Sequence, residues 1–88
     1  MIIQKQKKSA AKLRAIRKKR GLTFAEVHQR SRSIAKKLGR KEFVIPPSRL
    51  HDFEVQGVVP GIHRIYTLAR VYRLSLFEVL SWYGIPKR

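Results

Sequence analysis

The chain has 88 residues and no cysteine, which bounds it to one domain with one small core and excludes a disulfide framework or a thiolate metal site. Its 21 Lys/Arg against five Asp/Glu give a formal net charge of +16, unevenly spread: residues 1–41 hold fifteen Lys/Arg and one acid, Glu26, and residues 42–88 hold six and four. A field of that strength repels itself and calls for a densely negative counter-surface, of which nucleic-acid phosphate is the commonest.

In chain order, residues 1–8 are predicted to be a flexible basic arm, residues 9–85 the folded unit and residues 86–88 a C-terminal tail. Ser9 is the expected cap of a first helix that runs through Arg20 and stops at Gly21, with Leu13 and Ile16 facing the core. Arg17, Lys18, Lys19 and Arg20 fall in its last turn, where the helix dipole favours cations. Thr23-Phe24-Ala25-Glu26 fits a capping box, in which hydroxyl and carboxylate each satisfy a backbone N–H of the first turn, and Ser75-Leu76-Phe77-Glu78 repeats the pattern. From Phe24, steps of ~100° gather Phe24, Val27, Ser31, Ile34, Ala35 and Leu38 on one arc. Gln29, Arg30, Arg32, Ser33, Lys36 and Lys37 lie opposite, so the spacing predicts one amphipathic second helix with a basic stripe, ending at Gly39.

Residues 40–47 form a connector, because Ile45 and Pro46 each precede a proline and are driven towards extended backbone; Phe43 and Ile45 are expected to pin it to the core. Pro47 suits the first position of a short third helix over residues 48–55, with Leu50 and Phe53 inward and Gly57 at its end. Pro60 or Gly61 opens a fourth helix whose inward face is Ile62, Ile65, Leu68, Ala69 and Tyr72. A fifth, after Ser75, is expected to bury Leu76, Val79, Leu80 and Tyr83 before Gly84 and Pro86 stop it. The predicted fold class is all-α, a compact five-helix domain with a basic arm.

This order of elements resembles the lambda-repressor/Cro-like, or XRE-type, helix-turn-helix family over roughly residues 12–83. The resemblance rests on Leu13 to Gly21 as first helix, on Leu22-Thr23 opening the second, and on Ile34-Ala35-Lys36-Lys37-Leu38-Gly39 closing it in the family's Leu-Ala-x-x-Leu-Gly manner. It continues through Ser48-Arg49-Leu50-His51-Asp52-Phe53-Glu54 as recognition helix, Pro60 six residues later, and the stretch from Leu68 to Leu80. Two features depart from the family: Phe24 stands where a polar residue is usual, and the second helix and its connector are longer, the helix by about seven residues or two turns.

The resemblance implies a DNA-binding transcriptional regulator whose third helix enters the major groove of double-stranded DNA. Ser48, Arg49, His51 and Asp52 are the candidate base contacts, Arg49 having the fork that spans guanine O6 and N7. Glu54, structural in that family, is expected to stay off the DNA. Arg30, Arg32, Lys36, Lys37, Arg40 and Lys41 are candidate phosphate contacts, joined by Lys5, Lys7, Lys8 and Lys12 from the arm. Phe77, Trp82 and Ile85 are the candidate homodimer patch, with core packing or contact with the returning N-terminal segment as the competing role.

Two other classes stay open: an RNA-binding or ribosome-associated protein, which fits the charge equally well, and an antitoxin-like protein-interaction module in which DNA binding is secondary to a partner held by Trp82 and Tyr83. RNA readers stack bases on aromatics, and most aromatics here fall on apolar faces away from the basic stripe. An enzyme is not expected, since three histidines and five acids make no metal-ligand spacing and no glycine-rich phosphate loop is present, so neither metal nor cofactor is implied. Met1-Ile2-Ile3-Gln4-Lys5 leads into charge rather than an apolar run, and no stretch approaches the ~20 apolar residues of a membrane span. The expected setting is cytoplasmic and nucleoid-associated.

Overall fold

Good helix formers without a break lead from Gln4 into the alanines at 10, 11 and 15, and the first helix, α1, spans Gln4–Lys19. The computed structural model describes the backbone of residues 4–86 and side chains from residue 8. Residues 4–8 of the expected arm are therefore helical, while residues 1–3 and the side chains of Lys5 and Lys7 lie outside the described part. Ser9 is not a cap. It sits inside α1, buried, and its hydroxyl donates to the carbonyl of Trp82 near the other end of the chain.

The second helix, α2, spans Phe24–Leu38 as one uninterrupted element. Both arms of its capping box form: Thr23 Oγ1 accepts from Glu26 N at 3.1 Å, and Thr23 N donates to the Glu26 carboxylate at 2.8 Å. These bonds hold the Glu26 carboxyl below its ordinary range. Gly39 ends the helix in the left-handed conformation (φ 71°), which a side chain would oppose. Val27, Ser31 and Ala35 are buried, whereas Leu38, placed on the apolar arc by periodicity, is 46% exposed because the last turn of α2 runs past the core.

A 3₁₀ turn at Lys41–Phe43 leads to α3, Pro47–His51, with Pro47 at its first position, and the helix continues as a π-helical turn over Asp52–Gln56. Together they form the expected third helix, which Gly57 terminates at φ 71°. α4 spans Ile62–Tyr72 and α5 spans Leu76–Ser81, the latter capped by Ser75 Oγ accepting from Glu78 N. Ile62 is 61% exposed rather than buried: it is the first residue of α4, ahead of the turn that reaches the core. In α5 Val79 is fully buried and Leu76 and Leu80 half-buried, as is Tyr83 in the turn that follows. The described residues thus form an all-α fold of five α-helices with no strand.

Leu13, Leu22, Val27, Ile45, Leu50, Phe53, Leu68, Val71 and Tyr72 make the main core, and Ile65, Ala69 and Val79 a smaller one. Trp82, Tyr83 and Leu74 pack against both. Trp82 therefore joins the closing helix to the cores, and of the expected dimer patch Phe77 (57%) and Ile85 (48%) are the exposed members.

A bidentate ion pair crosses this interior. Arg17, in the last turn of α1, donates through Nε to Glu54 Oε2 at 2.7 Å and through Nη2 to Glu54 Oε1 at 3.0 Å. Its third nitrogen, Nη1, donates to the carbonyl of Leu22 at 3.0 Å, and its guanidinium lies 4.6 Å from the centre of the Phe24 ring. The Glu54 side chain is 1% exposed and that of Arg17 14%. The bidentate bond raises Arg17 further above its ordinary range, against the opposing effect of burial. Phe24 thus has a partner that a polar residue would not match: it stacks on the cation that fastens the third helix to α1.

Breaking such a pair strands a buried charge, so Arg17→Met is expected to cost about 3 kcal/mol in urea unfolding. The double variant Arg17→Met/Glu54→Leu should recover at least half of that loss, because no charge is then left unpaired. Equal instability of the single and double variants would show that the pair is not the coupling.

Candidate nucleic-acid interface

The third helix owes its placement to spacing and to three anchors on the connector. Leu50, Phe53 and Glu54 recur at intervals of three and four, and all are buried. Ile45, fully buried, donates its N–H to Ser31 Oγ at 2.9 Å, and the same hydroxyl donates to the carbonyl of His28 at 2.7 Å. Thr67 Oγ1 donates to the carbonyl of Phe43 at 2.7 Å, and Arg64 Nε to that of Val44 at 2.9 Å. The Phe43 ring meets His63 and Tyr66 edge-to-face, at 5.0 and 5.6 Å between centres. The long connector is thus tied to α2 on one side and α4 on the other.

With its inner face held, the helix presents Ser48, Arg49 and His51 to solvent, and Asp52 half-buried beside them. Arg49 Nη1 stands 3.7 Å from Asp52 Oδ2, and His51 Nδ1 3.9 Å from Asp52 Oδ1. Asp52 lies between the two side chains, too far from either for a short hydrogen bond. All four candidate base contacts therefore lie on one outward surface.

The candidate phosphate contacts divide. Arg32 and Lys36, four residues apart, share one ridge of α2, and Arg30 and Lys37, seven apart, share another; at ~100° per residue the ridges stand about 130° apart. Arg30 and Lys37 border hollows whose far wall is α4, whereas Arg32 and Lys36 border none shared with that helix. The stripe is continuous through Arg30, which borders one hollow with Arg32 and Lys36 and another with Arg70 and Arg73. Arg40 is exposed but spends its charge on Glu42 at 3.3 Å, while Lys41 is exposed in the 3₁₀ turn without an ion pair among the described residues. Lys8 and Lys12 are exposed on α1.

Several exposed cations beside these surfaces were not among the sequence-based candidates. Arg14 and Lys18, one turn apart on α1, border a hollow of about 450 Å³ beside Glu54 and Val55, at the end of the third helix. Arg70 and Arg73 face Arg30 and Lys37 across the space between α4 and α2. Arg20, by contrast, is spent on structure, its Nε donating to the carbonyl of Tyr72 at 2.8 Å. Among the described residues no group of three or more His, Asp or Glu stands close enough to hold a metal ion, and no helix is long and apolar enough to cross a membrane. Comparisons with protein-family models, with curated proteins and with solved structures found no match.

Ser31 is the single hydroxyl on the buried arc of α2, and its bond to Ile45 N sets the entry of the third helix. Ser31→Ala leaves that N–H buried without an acceptor and is expected to cost about 1–3 kcal/mol in thermal or urea unfolding. A change within experimental scatter would remove Ser31 from the set of anchors.

Proposed function

We propose that the protein is a DNA-binding regulator that reads duplex DNA with its third helix, in the manner of the helix-turn-helix family it resembles. The observation that carries this reading is the outward set Ser48, Arg49 and His51 on a helix whose opposite face is locked into the core by Leu50, Phe53 and Glu54. Side chains that read base edges must be exposed, polar and held on a fixed backbone, and this set meets all three conditions. Arg49 takes the guanine, with Asp52 limiting the directions its fork samples. Arg32, Lys36 and Lys41, with Arg14 and Lys18 from α1, take phosphates on either side, supplying affinity without sequence information.

RNA as the partner draws support from one observation, the half-buried Tyr66 beside Lys37 and Arg70. One tyrosine, already edge-on to Phe43, is a small platform compared with the several stacked aromatics of RNA readers. Duplex DNA is the stronger reading.

Selection of bound duplexes from a random pool, with folded RNA as competitor, tests both. On the selected site Arg49→Ala is expected to cost about 1–3 kcal/mol and to relax preference at one base position, while Lys36→Ala weakens all duplexes alike and flattens the log K against log salt slope by about 1. Equal losses for Arg49→Ala on selected and random duplexes would remove it from base reading.

A further inference from the structure

The edge of the α2 stripe that faces α4 is given no phosphate in that reading. Arg30 and Lys37 of α2 and Arg70 and Arg73 of α4 border two adjoining hollows, of about 110 and 230 Å³, which share Ser33, Ile34 and Arg70 and so form one groove between the helices. No residue of the third helix borders either hollow. None of the four cations makes an ion pair among the described residues. Glu26, the one carboxylate on either helix, is occupied in the cap of α2. Four cations converge here, and Glu26, one turn before Arg30 on α2, is the one carboxylate whose field reaches any of them from these two helices.

Arg73 adds an independent observation. Among the described residues every other position of positive φ is glycine, at 21, 39, 57 and 84, and Arg73 alone carries a side chain there, at φ 58° and ψ 46°. A non-glycine residue in that conformation costs about 1–2 kcal/mol. The helix dipole is already met by Arg70 in the last turn of α4, so a second cation is not needed for it. The conformation ends α4, with Arg73 N donating to the carbonyls of Ala69 and Arg70, and it places the Arg73 side chain at the rim of the groove.

We propose that the groove between α2 and α4 holds the phosphodiester backbone of a second duplex segment, so that one molecule bound through its third helix bridges two stretches of DNA. The bridging clause rests on the reading of the third helix given above; the groove itself does not. Arg30 and Lys37 are separated by seven residues, about 10.5 Å along α2, far enough apart to meet different phosphates of one strand. The hydroxyl of Ser33 lies between them on the same side of the helix, as a neutral donor to the same backbone. Recognition of this kind is by charge, so the second segment is bound without sequence preference and is lost first as salt rises.

The test titrates amide-labelled protein with a duplex of about one and a half helical turns, too short to wrap around to both faces. Shifts at residues 30–37 and 70–73 in addition to those at 47–52 are expected. Shifts at 47–52 alone overturn the groove. Shifts at 30–37 and 70–73 alone uphold the groove and overturn the third-helix reading, and an unchanged spectrum overturns both. Bridging is then read as capture of a fluorescent duplex by protein already bound to an immobilised one. The variant Arg70→Gln/Arg73→Gln, altered at two exposed positions, should lower that capture about ten-fold or more while single-duplex affinity on the selected site changes less than about three-fold. Capture by this variant equal to that of the parent, or no capture by the parent on either a second short duplex or a distant part of one long duplex, overturns the bridge.

Discussion

Arg17 and Glu54, 37 residues apart in sequence, are the contact on which the rest of the molecule depends. A chain with a net charge of +16 folds against its own repulsion, and the charged side chains it buries must be matched. The fork of Arg17 answers both carboxylate oxygens, its third nitrogen answers Leu22 O, and its face is covered by Phe24. Four elements meet at one guanidinium: the end of α1, the turn after it, the start of α2 and the π-helical turn of the third helix. Apolar packing supplies the bulk of the stability, but it is indifferent to small slides of one helix over another; a bidentate ion pair is directional. The pair therefore sets where Ser48, Arg49 and His51 stand relative to the rest of the domain.

The same arrangement accounts for how the positive charge is used. Arg17 and Arg20 are consumed inside the fold, Arg40 is paired at the surface with Glu42, and Arg64 holds the connector. Of the cations that remain, α2 carries four, Arg32 and Lys36 on one ridge and Arg30 and Lys37 on the edge towards α4, with Arg30 bordering hollows on both sides. α2, fifteen residues long, has room for two cations at each of those positions. The connector must return from the end of that helix to the start of the third, and Ser31, Arg64 and Thr67 stitch it down along the way.

Much of this was legible in the sequence, for reasons that are local. The capping box at Thr23 and the glycine at 39 bound α2 to the residue, and Pro47 with Leu50 and Phe53 marked the third helix and its inward face. Local signals failed where one residue type serves two ends. Ser9 reads equally as a cap or as an interior hydroxyl, and only a partner 73 residues away, the carbonyl of Trp82, decides between them. Ile62 fits the period of α4, yet the helix begins there and the core does not reach it. Among 21 cations nothing local distinguishes the one that pairs with Glu54. The exposed positions of the third helix followed from periodicity; the groove between α2 and α4 did not, because its two walls are more than thirty residues apart. Ser31, a lone hydroxyl in the middle of an apolar arc, was the available signal for the connector's anchor.

The central claim is that a buried ion pair fixes the position of a surface that reads bases. Selection of duplexes from a random pool, run in parallel on the parent and on Glu54→Gln, tests it most directly, because the substitution keeps the size of the side chain while removing its charge. With the variant checked as folded by its tryptophan fluorescence, the account predicts a defined base preference for the parent, and for Glu54→Gln binding of similar salt dependence with that preference lost or broadened. An unchanged preference in the folded variant would contradict it.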